Sequence, residues 1–232
     1  MDEKENLLEK ETTENINLEE KIKLLEKRMF ELEKENLDLK KENADLKEKI
    51  AKDDLTGLLR RNFFKELTEQ QINSLLEPEN EKREEGFSTL SFLFLDLDNF
   101  KEINDIYGHD RGDKLLKKIS DILRENVRDT DYISRWGGDE FVISLLGSNE
   151  NEAKKKAEFL NEIIHNNVKN EMGIDITLSV GVSEYEEGIG FSELIERADK
   201  AMYKSKTEGK NIVSTYSEYQ EDIEKLKEQN EK

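Results

Sequence analysis

From Leu18 to Ile50 the chain repeats at alternating intervals of four and three: Leu18, Ile22, Leu25, Met29, Leu32, Asn36, Leu39, Asn43, Leu46 and Ile50. A period of 3.5 residues sustained this long permits little except a helix that buries one seam against another helix. Every d position is Leu, and the a positions read Ile, Met, Asn, Asn, Ile. The flanking charges select the partner. In a parallel dimer each g residue faces the e residue five positions on in the other chain. Lys21 with Glu26, Arg28 with Glu33, Glu35 with Lys40 and Glu42 with Lys47 are then all attractive. Glu14 with Glu19, one heptad earlier, is repulsive. Asn at a favours two strands and fixes their register. The expectation is a parallel homodimeric coiled coil over residues 1–52, frayed before Leu18. A single solvated helix is the alternative, and it leaves the Leu seam and the matched pairs unexplained.

Composition bounds the rest. A chain of 232 residues holds one ordinary globular domain plus something extended. Charged residues are 40% and hydrophobic ones 34%, so part of the chain is solvated helix or tail. A net charge of −19 argues against a polymeric nucleic acid as partner, although a few local cations and a metal suffice for a small phosphate ligand. The absence of cysteine removes disulfides, thiolate zinc sites and thiol nucleophiles. No apolar run approaches the ~20 residues of a membrane span, and the N-terminus has no signal-peptide core. The expectation is a cytoplasmic protein with no membrane partner.

Residues 53–214 hold nearly all the glycines and aromatics. Strands are expected at 88–97, 132–136, 140–146 and 174–182, with Gly137-Gly138 joining the middle two as a hairpin. Helices are expected at 62–76, 110–127, 152–169 and 191–206, and a polar loop at 77–86. This strand–helix–hairpin–helix–strand order predicts an α+β, ferredoxin-like sandwich with a central antiparallel-containing sheet. Residues 215–232 form a polar tail, either a short amphipathic helix on Tyr219, Ile223 and Leu226 or a disordered segment.

Acidic residues gather at the ends of the apolar strands: Asp96 and Asp98 after the first, Asp139 and Glu140 at the hairpin, Asp110 and Asp113 at the start of a helix. Such carboxylates in a phosphate enzyme hold Mg²⁺. Gly137 and Gly138 allow close backbone approach to a ligand, and Lys101, Lys206 and Lys210 are candidate phosphate partners. Each feature alone has a bland reading. A strand-end Asp is usually a turn cap, Gly-Gly is usually a turn, and lysines near a helix C-terminus complement its dipole.

The combination is specific. The string Arg135-Trp136-Gly137-Gly138-Asp139-Glu140-Phe141 contains GGDEF outright. Asp54-Leu55-Thr56-Gly57-Leu58, the segment Leu95 to Asp113, Ala198-Asp199 with Met202 to Lys206, and Gly209-Lys210-Asn211 match further motifs of the same family. The chain resembles the GGDEF diguanylate cyclases over about residues 53–214. That resemblance implies a palm-like, nucleotidyl-cyclase-like fold and an enzyme that joins two GTP into cyclic di-GMP with Mg²⁺ or Mn²⁺. It implies metal binding by Asp96, the Leu97 carbonyl and Asp139. Asp139 also becomes the candidate activator of the attacking 3′-hydroxyl, with Glu140 in support and Lys101 stabilising the reacting phosphates. Asn104 and Asp113 would bind the guanine edge, His109 would lie nearby, and Lys206 and Lys210 would hold the terminal phosphates. The family most often has Arg at the position of Lys210, and Lys lacks the bidentate fork. Arg128 and Asp131, five residues before Gly137, resemble its product-inhibition site, where cyclic di-GMP binds; an ordinary surface pair is the alternative. Two other functions stay open: an inactive domain that binds GTP or cyclic di-GMP, and a coiled coil that carries the domain as cargo.

Overall fold

The computed structural model describes residues 21–43, 51–76 and 88–230. The chain divides after Ile50 into two units. In the first, residues 21–43 form helix α1. Its seam residues Ile22, Leu25, Met29, Leu32 and Leu39 are 47–64% exposed, an apolar stripe that a lone helix leaves in water. Leu18, Leu46 and Ile50 lie outside the described residues, as does the expected polar loop at 77–86.

The second unit, Ala51–Lys232, is a mixed α+β sheet with helices on both faces. It runs β1 (Leu59–Arg60), α2 (Arg61–Leu76), β2 (Leu90–Leu97), α3 (Phe100–Tyr107), α4 (His109–Glu125), β3 (Tyr132–Gly137), β4 (Glu140–Leu146), α5 (Glu150–Met172), β5 (Leu178–Glu184), α6 (Phe191–Thr207), β6 (Val213–Thr215) and α7 (Tyr216–Asn230). The strand order is β1-β3-β4-β2-β5-β6. The inner pairs are antiparallel, and the edge strands β1 and β6 pair in parallel with β3 and β5.

β2 is buried along its whole length, and its alternation distributes side chains to two cores. Leu93, Leu95 and Leu97 join Leu115, Ile119 and Leu123 of α4 and Ala157, Leu160 and Ile164 of α5. Leu90, Phe92 and Phe94 join Phe64 of α2 and Phe191, Leu194 and Ala198 of α6. The second core is aromatic: Phe64, Phe92 and Phe191 lie 5.7–6.2 Å apart, centroid to centroid, in tilted and edge-on geometry. α5 begins two residues before its expected start, because Asn149 and Glu152 form a reciprocal capping box.

The helix expected at 110–127 is α4; a further helix, α3, precedes it unforeseen, separated from it by Gly108, whose φ of 82° disfavours ordinary L-residues. Two expectations need correction. The last inner strand starts at Leu178 rather than at residue 174; Ile174 and Ile176 are buried, but they precede the strand. The hairpin turn is Gly138-Asp139, since Gly137 still pairs with Glu140 inside the ladder. The polar tail is helical as α7 and packs on α6. Lys204 forms an ion pair with Asp222, and Lys154 reaches Glu218 at 2.5 Å. Among the described residues no helix is long and apolar enough to cross a membrane.

Candidate active site

The C-terminal end of β2 and the β3–β4 turn bring the expected acidic residues together. Asp96 is the cross-strand neighbour of Glu140. The N–H of Leu97 donates to the carbonyl of Asp139 at 3.3 Å, tying the turn to the end of β2. Asp96 shares the α6-facing side of β2 with Phe92 and Phe94, and the last turn of α6 supplies Lys206, whose Nζ lies 2.7 Å from Asp96 Oδ2. The lysine is therefore more than a partner for the helix dipole. α6 lies close enough for this because β5 has Gly181 beneath it. A Cβ there would stand 1.9 Å from the Ala198 carbonyl oxygen and 2.2 Å from the Met202 nitrogen.

The electrostatics are those of a cation site. Burial pushes the Asp96 carboxyl up, Lys206 opposes the rise, and the charges of Asp139 and Asp98 add to it. Glu140 is raised by burial and then by Asp96, Asp139 and Asp199, again against Lys206. Asp199 on α6, raised chiefly by its own burial, is a fourth acidic group, one that stands in the C-terminal motif but was given no role there. Among the described residues no three acidic or histidine side chains converge on one point as a complete metal cage. Two carboxylates and a backbone carbonyl are what Mg²⁺ takes when waters and substrate phosphates complete its octahedron. The hard oxygen donors Asp96, Asp139 and the Leu97 carbonyl fit that ion, and Lys206 offsets only part of the negative charge gathered by Asp96, Asp139 and Glu140.

The turn itself is braced. Gly138 has φ 45°, and an added Cβ there would meet nothing within 4 Å, so the backbone is open to a ligand. The β3–β4 register slips between Arg135 and Gly137, which leaves Trp136 bulged into the aromatic core near Phe64, Phe94 and Phe191. Arg135 donates from Nε and a terminal nitrogen to the Gly138 carbonyl, at 3.0 and 2.8 Å. Its other terminal nitrogen reaches Asp53 at 3.2 Å. Asp53 also accepts from the N–H and hydroxyl of Thr56 at 2.9 and 2.7 Å. Burial works against the Asp53 carboxylate, but the Thr56 and Arg135 hydrogen bonds outweigh it and hold its pKa below the ordinary value. The aspartate that braces the turn is thus Asp53, one residue before the expected motif start; Asp54 pairs with Arg60 at 2.8 Å.

The nucleotide-side residues fall on α3, α4 and the loop after α6. Asn104 on α3 sits against Gly112 on α4, where a Cβ would lie 1.9 Å from its Oδ1; that oxygen is buried without a partner. His109 and Asp113 are exposed on the first turns of α4, and Lys101 is exposed on the first turn of α3. Lys210 donates to Asn99 Oδ1 at 2.6 Å. Asp98 is 4% exposed and occupied by protein donors, which separates it from its strand neighbour Asp96. Arg128 and Asp131 are elsewhere, in the loop after α4. Asp131 is consumed by backbone, accepting from the N–H groups of Arg128 and Leu146 at 3.0 and 3.2 Å, and burial leads its upward pKa shift. Arg128 lines a cleft of about 430 Å³ with Gly147, Lys155, Lys156 and Phe159.

Comparison with known proteins agrees with this arrangement. The sequence matches the diguanylate cyclase GGDEF domain family over residues 50–212. It is 34% identical over 171 residues to diguanylate cyclase DosC of Escherichia coli K12, a match covering 72% of this chain and 35% of DosC. It is likewise 34% identical over 170 residues to diguanylate cyclase A of Treponema denticola, covering 72% of this chain and 44% of that one. The chain thus spans under half the length of these relatives. The crystal structure of the coiled coil and GGDEF domain of DgcB from Caulobacter crescentus, in complex with c-di-GMP, superposes with a TM-score of 0.67 at 26% identity, covering 82% of this chain and 98% of that one.

Proposed function

Because this chain belongs to the family of GGDEF diguanylate cyclase domains, we propose that it condenses two GTP into cyclic di-GMP and releases two pyrophosphates. The carrying observation is the join of Asp96, Asp139 and Glu140 at one sheet end, with Lys206 the cation already among them. Two in-line attacks make the product. In each, a 3′-oxygen bonds to an α-phosphorus, the bond from that phosphorus to the pyrophosphate oxygen breaks, and the hydroxyl proton leaves to a base. Asp139, on the exposed turn, is the base. Asp96, the Leu97 carbonyl and Asp139, with Glu140 beside them, would hold Mg²⁺ or Mn²⁺, which would supply charge neutralisation at the phosphates. Lys101 faces the reacting phosphates, Lys206 and Lys210 hold the terminal ones, and Asn104 and Asp113, with His109 adjacent, take the guanine edge. Positioning and charge neutralisation are most of what such chemistry demands.

Each domain holds one GTP, so two must face each other. The parallel coiled coil over residues 1–52 is the dimerising element, residues 53–214 the cyclase domain, and the 215–232 segment an appendage to it. Product returns to Arg128 and Asp131, away from the metal site. Because Asp131 is engaged by backbone, the guanidinium of Arg128 is the main contact, and Arg128→Ala should keep progress curves from flattening before GTP is exhausted. The direct test is incubation of the full chain with GTP and Mg²⁺, followed by identification of cyclic di-GMP and pyrophosphate. Asp139→Ala and Asp96→Ala should each abolish product. Pyrophosphate release at near wild-type rate by either variant would sink the metal assignment, and a wild type that binds GTP without releasing pyrophosphate would be an inactive binding module.

A further inference from the structure

Among the described residues the non-glycine positions with positive φ are Asn99 (61°), Lys210 (63°) and Asn211 (55°). All three belong to one junction, where the loop after β2 meets the loop after α6. Left-handed backbone at three side-chain-bearing residues persists only where the surroundings over-determine it. The determinant is Asp98. Its Oδ1 accepts from the Ser179 hydroxyl at 2.7 Å, and its Oδ2 accepts from the Thr177 hydroxyl at 2.7 Å and the Asn211 backbone N–H at 3.0 Å. Asn161 of α5 takes the same loop from the other side, donating to Asn211 Oδ1 at 3.0 Å while its own Oδ1 accepts from the Leu178 N–H. The Lys210 N–H donates to the Ser205 carbonyl, and its ammonium lands on Asn99, one residue beyond Asp98.

We propose that Asp98 is a positioning residue that clamps the Gly209–Asn211 loop to the end of β2, and so fixes where Lys210 meets the terminal phosphates of the nucleotide. The inference rests on the assignment of Lys210 to those phosphates. It separates the two aspartates of the Asp96-Leu97-Asp98 string. One faces the site; the other sets the distance between the end of β2 and the phosphate cations. Three donors converge on this one side chain. An Asn here still accepts from Thr177 and the Asn211 N–H through its amide oxygen and donates to the rotated Ser179 hydroxyl, so the variant that opens the junction is Asp98→Ala, which removes every acceptor.

The test uses the full chain and two probes, inorganic tripolyphosphate and guanosine, each measured for direct binding by calorimetry. Lys210→Ala should weaken tripolyphosphate about tenfold, the loss of one charge-assisted contact. Asp98→Ala should weaken it by a similar factor and leave guanosine unchanged, and the double variant should be no worse than either single one. Thr177→Val, which removes a different donor from the same carboxylate, should preserve both affinities. Additive losses in the double variant, unchanged tripolyphosphate binding in Asp98→Ala, or parallel loss of guanosine would each overturn the clamp. Unchanged tripolyphosphate binding in Lys210→Ala would overturn the phosphate assignment itself, and the clamp with it. Hydrogen exchange on the wild type needs no variant to fold: the Asn211 amide should be protected like the strands, and exchange at exposed-loop rates refutes the proposal.

Discussion

Position 181 has no room for a methyl group. The atoms that a Cβ would strike are backbone atoms of Ala198, Ala201 and Met202, which cannot rotate away. Gly181→Ala should therefore push α6 off β5 and cost about 3 kcal/mol or more, the range of severe overpacking; a melting temperature within a degree of wild type would contradict it. Lys206 moves with α6, so surviving protein should also lose affinity for triphosphate. Glu140 gives the opposite sign. A carboxyl whose native pKa is raised holds its proton more tightly folded than unfolded. That stabilisation is complete below the ordinary value of 4.5 and is lost as pH rises through the raised native value, so the ionised group costs stability at neutral pH. In metal-free buffer at pH 7, Glu140→Gln should melt about 2 °C higher than wild type. Below about pH 4.5, where both side chains are neutral, the difference should vanish. A gain that persists at pH 4, or none at pH 7, would show that charge is not its origin. At this scale the sequence was partly legible. Asp96, Asp139 and Glu140 stand in a recognisable string, and they do meet. Asp96 and Asp98 look alike in sequence; distant partners tell them apart, among them the hydroxyls of Thr177 and Ser179 some 80 residues away on Asp98 and the Lys206 ammonium on Asp96.

Long periodic elements were readable because burial on one face imposes the period. β2, the α5 stripe and the β3–β4 hairpin all fall near their expected ends. The short ones were not. β1 and β6 are two and three residues long and exist because β3 and β5 offer them a parallel edge, which no local pattern encodes. α3 was hidden because Phe100 to Tyr107 carries few buried residues, Ile103 alone being fully so. Gly108 was the available signal of the break. The brace on the β3–β4 turn was equally invisible: Asp53 and Arg135 are 82 residues apart. It yields an element-scale prediction. Arg135 spends two nitrogens on the Gly138 carbonyl and the third on Asp53, a fork that Lys cannot reproduce. Arg135→Lys should leave the sheet folded yet loosen the turn that carries Asp139. Turnover should fall about tenfold, as expected of a catalytic group slightly misplaced, with little change in the KM for GTP. Unaltered turnover would mean that the turn holds its shape without the brace, and a raised KM with normal turnover would place Arg135 in binding instead.

At the scale of the molecule the question is why a GGDEF domain should be preceded by a helix with an open apolar seam. Five seam residues of α1 are about half exposed, and a seam of that kind on a helix this charged is stable only against a partner. A second copy satisfies it with four attractive g–e pairs. The proposed chemistry independently needs a second copy, since one domain offers one GTP site. If both statements describe one device, the coil acts by raising the local concentration of the facing domain to the millimolar range. Residues 51–232 form a unit of their own, so removal of residues 1–50 should leave a folded protein. At micromolar concentration it should be monomeric by sedimentation and at least about tenfold less active per molecule. Its specific activity should then climb with protein concentration, whereas that of the full chain stays flat. Replacing residues 1–50 with an unrelated parallel two-stranded coil should restore the flat profile, because what is supplied is proximity and not a particular surface. A truncated protein with full, concentration-independent activity would detach the coil from catalysis. Failure of the replacement coil, with truncation still harmful, would mean that the native helix contributes more than its partner's nearness.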